Sequence, residues 1–283
     1  MSPLEQTIER ITGSRATRLS PLGGGCIGDV FKVDLANGQT IVAKTGDPGS
    51  GLALEGRMLE YLGQYSQLPV PGVLYCDVKL VLMDWLPATG ALDDKGEVEA
   101  ADRVAALHDI TAERFGFDWD TVIGGLHQPN PSSDTWLPFF AEHRLIYMGR
   151  QALDAGRLPP DIMDRLEKFS AHLDTWLAEP AHPSLIHGDM WGGNVVAAGG
   201  KLSGFIDPAI YFAHGEIELA FTTLFNTFSE RFYDRYREHR PIAPGFFKER
   251  RDIYNLYPLL VHVRLFGGSY VGSIDRTLAR FGF

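Results

Sequence analysis

The sequence predicts an α+β protein with a β-rich first part and a larger, mainly helical second part, divided near Leu86. Three observations predict this. Residues 28–33 (GDVFKV) and 40–44 (TIVAK) are short runs rich in β-formers, joined through the turn Ala36-Asn37-Gly38. Residues 52–62 place Leu52, Leu54, Met58, Leu59 and Leu62 at helical spacing, and residues 80–82 (LVL) form a short apolar run closed by Pro87. Beyond Pro87 the pattern turns helical over 98–108, 136–155, 161–178 and most of 216–283. Residues 115–135 are loop-rich, and the pairs Leu185-Ile186 and Phe205-Ile206 read as short strands carrying polar, glycine-rich loops. The chain is therefore expected to fold as two lobes, 1–86 and 87–283.

Composition narrows the function. The 283 residues are 45% hydrophobic and 22% charged, enough for a large core without covalent staples. Only Cys26 and Cys76 are present, so no disulfide framework is expected. No apolar run approaches the ~18 residues of a membrane span, and the N-terminal stretch lacks the apolar centre of a secretion signal. A cytoplasmic protein with no membrane partner is expected. The formal charge of −10 disfavours nucleic acid, a polyanion, as a partner. The acidity is uneven: 7 Lys+Arg against 9 Asp+Glu through Leu86, then 19 against 27. An acidic second part suits a cationic substrate, although soluble proteins are commonly acidic without any such purpose.

The chemistry concentrates in His187-Gly188-Asp189-Met190-Trp191-Gly192-Gly193-Asn194, followed by Phe205-Ile206-Asp207-Pro208. Phosphoryl transfer needs a carboxylate to take or orient the proton of the attacking hydroxyl, and oxygen ligands to hold Mg²⁺ on the phosphates. An Asp with an Asn five residues later has the spacing of a kinase catalytic loop. Asp189 is the candidate base; Asn194 and Asp207 are the candidate Mg²⁺ ligands, being hard oxygen donors. Asp and Gly in loops are usually turn formers, and the ordered combination, not any one residue, carries the reading.

Three further segments fit ATP. Gly23, Gly24 and Gly25 precede a β-run, which suits a loop that covers phosphates with backbone N–H groups. No Lys-Ser/Thr pair follows them, and a dinucleotide site would want a helix there. Lys44 ends an apolar strand and can reach phosphates as a point charge. Glu55 interrupts the apolar face of the 52–62 helix and needs a cation, for which Lys44 is the candidate. Met83, Asp84 and Leu86 fall where a hinge between the two parts would offer backbone groups to adenine.

Together these residues resemble the protein-kinase-like superfamily and, within it, the fructosamine-3-kinase (ketosamine kinase) family. The narrower resemblance rests on Trp191 inside the catalytic loop, on Arg114-Phe115-Gly116-Phe117, Gln128-Pro129-Asn130, Trp136 with Phe139-Phe140, residues 206–220 (IDPAIYFAHGEIELA), and residues 254–260 (YNLYPLL) with 265–270 (LFGGSY). It implies a bilobal protein-kinase-like fold, ATP and Mg²⁺, and phosphorylation of a ketosamine at its sugar O3 hydroxyl. The unstable product then releases its amine, so the implied role is deglycation of a metabolite or a glycated protein. One stretch departs from the family: where its pattern reads His-Arg-Glu-x-Asp-Leu-Ala, this chain has His214-Gly215-Glu216-Ile217-Glu218-Leu219-Ala220.

A sugar-amine substrate calls for acidic groups and an aromatic platform. Trp191 and Glu216 are the expected contacts, with Trp136 behind them, although Trp136 adjoins Leu137, Phe139 and Phe140 and suits a core equally. His108 reads as structural, and Glu218 as an anchor for the helix it begins. Cys26, within the phosphate loop, is expected to be oxidisable and to permit a redox-linked dimer through Cys26. The competing readings are a kinase for an aminoglycoside, choline or homoserine, and a nucleotide-binding pseudokinase.

Overall fold

The computed structural model describes residues 2–23 and 28–283, so the expectations for Gly24, Gly25 and Cys26 lie outside the described residues. The chain opens with α1 (Pro3–Thr12). Ser2 and Glu5 form a reciprocal cap, Pro3 fills the first turn, and Gly13 ends the helix in the left-handed region. There follow β1 (Ala16–Leu22), β2 (Asp29–Leu35), β3 (Thr40–Thr45), α2 (Leu52–Tyr65), β4 (Val73–Cys76) and β5 (Leu80–Asp84). The strands form one antiparallel sheet of order β1-β2-β3-β5-β4. The hairpin at Asn37-Gly38 is as expected; α1, β1 and β4 are additions.

Strand periodicity decides what each sheet face does. Ile41 and Ala43 of β3 join Val33, Leu35 and Leu82 beneath Ile8 of α1. Val42 of β3 points the other way, with Val81 and Met83, against Leu52 and Leu59 of α2. Lys44 has the parity of Val42, so its side chain emerges on the α2 face.

The second part runs through β6 (Thr89–Leu92), α3 (Asp94–His108), β7 (Thr121–Ile123), β8 (Leu126–Gln128), α4 (Trp136–Phe140), α5 (Tyr147–Asp154), α6 (Pro160–Ser170), β9 (Ser184–Ile186), β10 (Val195–Phe205), β11 (Tyr211–Ala213), α7 (Glu216–Leu224), α8 (Glu230–His239), α9 (Arg251–Tyr254), α10 (Leu256–Phe266) and α11 (Val271–Arg280). A wide-turned segment, Ala141–Ile146, joins α4 to α5 into one rod, as the 136–155 periodicity predicts. The 161–178 expectation is too long: α6 stops at Ser170. β10 pairs in parallel with β6, and β9 pairs antiparallel with β11. β10 spans eleven residues, but Ile206 N donates to Asn194 O at 3.0 Å, so its two ends lie side by side: the arm ending at Phe205 is the short strand expected there, and the arm before the glycines is an addition. Gly199 and Gly200 take positive φ midway between those ends, where the chain reverses direction.

One core joins the helices, and its largest fully buried side chains include Trp136, Phe139, Phe140 and Arg144. Arg144 is one of several polar side chains in this interior, with His108, Gln128, His187 and Glu218. Its guanidinium donates to Pro129 O at 2.7 Å and to Asn130 Oδ1 at 2.6 Å, and lies 3.8 Å over the Tyr211 ring. Arg144→Ala would leave two buried acceptors unpaired beside a cavity. A loss of about 3 kcal/mol or more in denaturant unfolding is expected, and a loss below ~1 kcal/mol would remove this role.

Candidate active site

Lys44 is the point where sheet and helical part meet electrostatically. Its Nζ lies 2.7 Å from Glu55 Oε1 on α2 and also contacts Asp207 Oδ1, after β10. Both Lys44 and Glu55 are buried. Burial alone would lower the Lys44 pKa, but the Glu55 and Asp207 carboxylates outweigh it and the net shift is upward. The ammonium therefore stays charged.

Aromatic packing fixes α2 against the second part. Tyr61 packs edge-on to Phe117 at 4.9 Å and to Trp119 at 5.8 Å, and the Arg57 guanidinium sits 3.6 Å over the Trp119 ring. At the start of α2, a Cβ at Gly51 would come within 3.1 Å of Val122 on β7. The segment between α3 and α4, loop-rich in the sequence, is thus the brace that aims Glu55 at Lys44.

Asp189 and Asn194 form the second half of the site. Asn194 Nδ2 donates to Asp189 O at 2.8 Å and to Asp189 Oδ2 at 3.0 Å. Ile206 N donates to Asn194 O at 3.0 Å, which ties the catalytic loop to the strand end bearing Asp207. Burial, then the nearby Asp207 charge, pushes the Asp189 carboxyl up to about 8, with the Asn194 amide opposing. Asp207 has φ 55°, left-handed for a residue with a side chain. Such backbone costs of order 1–3 kcal/mol and clusters at functional sites.

The donor set fits Mg²⁺. Asp207 keeps one carboxylate oxygen free of Lys44, and Asn194 Oδ1 accepts no protein hydrogen bond among the described residues. Two oxygen donors on adjacent loops, completed by phosphate oxygens, are what this ion takes. No cluster of three or more His, Cys, Asp or Glu side chains offers a self-sufficient metal site among the described residues.

The sequence missed the residue that holds the catalytic loop. Glu218 on α7 accepts from Gly188 N at 2.7 Å and meets His108 Nε2 at 2.9 Å, and His108 Nδ1 meets Tyr236 OH at 2.7 Å. Glu218 is fully buried, which raises its pKa, but the His108 hydrogen bond and the Gly188 N–H overcome this and the net shift is downward. Gly188 itself (φ 85°) has no room for a side chain, because a Cβ would lie 2.1 Å from Ala209 O. The family-marking Gln128 supports the same segment: its amide donates to Ala209 O at 3.0 Å and its oxygen accepts from Tyr257 OH at 2.6 Å.

Several expected site residues have other partners. Glu216, two residues from Glu218, points away from the catalytic loop and is clamped by Arg250 through two 2.7 Å bonds. Residues two apart lie on opposite sides of a helix, so the acid that reaches the loop is Glu218. Trp136 is 0% exposed, stacked on Phe140 at 5.5 Å with its Nε1 toward Tyr254 OH, which makes it core and not a substrate contact. Met83 packs under α2, and the Asp84 N–H and carboxylate are both engaged with Gly72. Of the hinge candidates, Leu86 remains half-buried, its side chain beside Gly204 at the end of β10. Trp191, two residues past Asp189, is half-buried and edge-on to Phe225 at 5.8 Å. Gly23 is exposed at the end of β1, where the chain enters the phosphate-loop candidate.

A small antiparallel sheet over a helical body, with a Lys–Glu pair and an Asp/Asn–Asp loop set between them, defines a protein-kinase-like phosphotransferase. The profile of the family described as fructosamine kinase matches residues 2–281, and the chain belongs to that family. A protein of Vibrio parahaemolyticus, provisionally named a ketoamine kinase, is 34% identical over 231 residues, spanning 80% of this chain and 78% of its own. YniA of Escherichia coli K12, with the same provisional name, is 33% identical over 81% of each chain. A Thermobifida fusca crystal structure, provisionally named a fructosamine-3-kinase, superposes with TM-score 0.87 at 31% identity, covering 98% of this chain and 99% of that one. The aminoglycoside phosphotransferase APH(4)-Ia, in complex with ADP and hygromycin B, superposes with TM-score 0.67 at 16% identity over 100% of both chains, a likeness of fold.

Glu218→Gln should weaken the grip on Gly188 and His108. A fall in kcat of about ten-fold to a hundred-fold is expected in steady-state assays, with a lowered melting temperature. Because the Glu218 pKa is depressed on folding, its stabilisation is present above the ordinary carboxylate range and is lost as pH falls through it. The variant should lack that part of the acid-induced loss in melting scans. A variant with wild-type kcat and acid sensitivity would remove the assignment.

Proposed function

We propose that this protein is an ATP-dependent ketosamine kinase that phosphorylates a sugar hydroxyl, and that it serves deglycation. The observation that carries the reading is the convergence of Lys44, Asp207, Asn194 and Asp189 through direct contacts and one backbone bond. In this reading residues 1–86 cover the nucleotide and residues 87–283 supply catalysis and acceptor binding. Asp189 takes the proton of the attacking hydroxyl, and Lys44, held by Glu55, neutralises phosphate oxygens. Asn194 and Asp207 would hold Mg²⁺, which when bound neutralises charge on the transferring phosphoryl group. Trp191 lies against the acceptor. Glycated protein is included among the acceptors, and the cytoplasm is the proposed compartment.

A second reading stays with kinases of other cationic small molecules, for which the acidic second part is equally suited. ADP release with ATP and Mg²⁺ separates them across a fructose-lysine, a ribulose-lysine, an aminoglycoside and choline, each run against Asp189→Asn. Turnover on a ketosamine, lowered by about three orders of magnitude or more in the variant, is expected. Turnover confined to the aminoglycoside or choline would overturn the substrate, and ATP binding without any turnover would favour a pseudokinase.

From the sequence we also propose that oxidation of Cys26 lowers activity through a disulfide-linked dimer. Peroxide should inactivate the wild type and give a reducible dimer band on a gel, and Cys26→Ala should show neither; equal peroxide sensitivity in the variant would end the idea.

A further inference from the structure

Beyond Tyr257, which supports Gln128, residues 262–270 are left without a task by the phosphoryl-transfer machinery, and they lead back to Trp191. Three ring-to-ring steps connect them: Trp191 to Phe225 at 5.8 Å, Phe225 to His262 at 5.1 Å, and His262 to Tyr270 at 4.9 Å. Phe266 flanks the far end, 5.6 Å from His262 and 6.4 Å from Tyr270. The backbone is arranged to build this row. His262 and Phe266 are four residues apart on α10 and share a face. Gly267 ends that helix at φ 89°, ψ −153°, conformational space that only glycine occupies readily, and turns the chain so that Tyr270 returns beside them. Phe225 closes α7, and the next residue, Asn226, is the other side-chain-bearing residue with positive φ among the described residues, besides Asp207.

The row is not core filler. Phe266 is 55% exposed, and Trp191, Phe225, His262 and Tyr270 are each partly exposed, unlike Trp136. It is also uncharged. His262 Nδ1 lies 2.7 Å from Pro258 O, a group that only accepts, so the proton is on Nδ1, and burial lowers the ring's pKa. What remains is a strip of aromatic faces and edges that starts two residues from the base and runs outward.

We propose that this strip, Trp191–Phe225–His262 with Phe266 and Tyr270, binds the amine-derived arm of the acceptor, and that the enzyme prefers ketosamines of amines bearing a long aliphatic or aromatic substituent. The inference rests on the ketosamine reading above. In a ketosamine the nitrogen is on C1, close to the O3 hydroxyl, so a hydroxyl placed at Asp189 puts the nitrogen near Trp191 and sends its substituent along the row. A protonated nitrogen gains from the indole face. Methylenes or a ring beyond it gain from the apolar surface of Phe225, His262, Phe266 and Tyr270. A sugar carrying only a small amine would leave the outer half of the strip unused.

The test uses two fructosamines with the same sugar, one made from methylamine and one from benzylamine, assayed by ADP release with the full-length protein. The wild type is expected to show a higher kcat/KM for the benzylamine adduct. In Phe266→Ala and Tyr270→Ala the benzylamine-to-methylamine ratio should fall about tenfold, the scale of losing one or two methylene equivalents of apolar contact. Phe266 is exposed, so its truncation leaves the core intact, and Phe266→Leu should recover most of the ratio. A wild-type ratio near one, or a ratio unmoved in both alanine variants, overturns this proposal while the ketosamine reading stands. No turnover on either adduct, with ADP release on another acceptor, overturns both.

Discussion

An ammonium taken out of water is tolerated only in anionic company, and in this protein that company comes from two different parts of the chain. Removing a lysine from solvent costs several kcal/mol, and Glu55 and Asp207 answer it together. The consequence reaches in both directions. Lys44 must sit on the α2 face of the sheet, which the parity of β3 ensures, and α2 must hold Glu55 at the right depth. Asp207 must meet the same ammonium from the end of β10, whose backbone adopts a left-handed turn at that residue. The Lys44 ammonium, the brace on α2 and the turn after β10 are parts of one electrostatic requirement.

The catalytic loop depends on a second buried charge with a different solution. Among the described residues Glu218 pairs with no Lys or Arg; its oxygens are satisfied by the Gly188 N–H and by His108, which Tyr236 backs. Hydrogen bonds to an ionised group are about twice as strong as neutral ones, so this arrangement fixes a loop that carries three glycines among its eight residues. Glu216 shows the contrast within the same helical turn. Its bidentate Arg250 partner ties the start of α7 to the α9 region and contributes nothing to the loop.

The sequence displayed the parts that phosphoryl transfer dictates. Residue type and spacing are constrained there, because a base, a metal amide and a metal carboxylate must reach one group of phosphate oxygens. The grouping of Asp189, Asn194, Asp207, Lys44 and Glu55 was legible from that proposed chemistry, and their contacts bring them together; the change from strand to helix near Leu86 was legible too. The supporting residues were not. Glu218 and Glu216 look alike in sequence, and only the helix phase set by buried packing separates the one facing Gly188 from the one facing Arg250. Trp136 could not be divided between core and cleft until its neighbours Phe139, Phe140 and Tyr254 were placed around it. The glycines inside β10 signalled a turn correctly, since the chain reverses there and brings Ile206 N to Asn194 O; only the short arm before them was hidden. Arg144 gave no sign of being interior, since two of its three acceptors are carbonyl oxygens fourteen and fifteen residues away.

The two sides of the site are specified by different means, and this bears on how the protein can diverge. On the proposed phosphate side, the charges fix one another's positions: displacing Lys44 would strand Glu55 and Asp207 alike. On the acceptor side the side chains are aromatic, partly exposed and carried on helix ends, Phe225 after α7 and Phe266 before a glycine turn. A change there alters contact area without leaving a buried charge unpaired, so it costs little stability and moves selectivity directly. Variation among acceptors is therefore expected to fall on the aromatic row and its turns, while Lys44, Asp189, Asn194, Asp207 and the Glu218–His108 support stay fixed by the penalty of breaking any one of them.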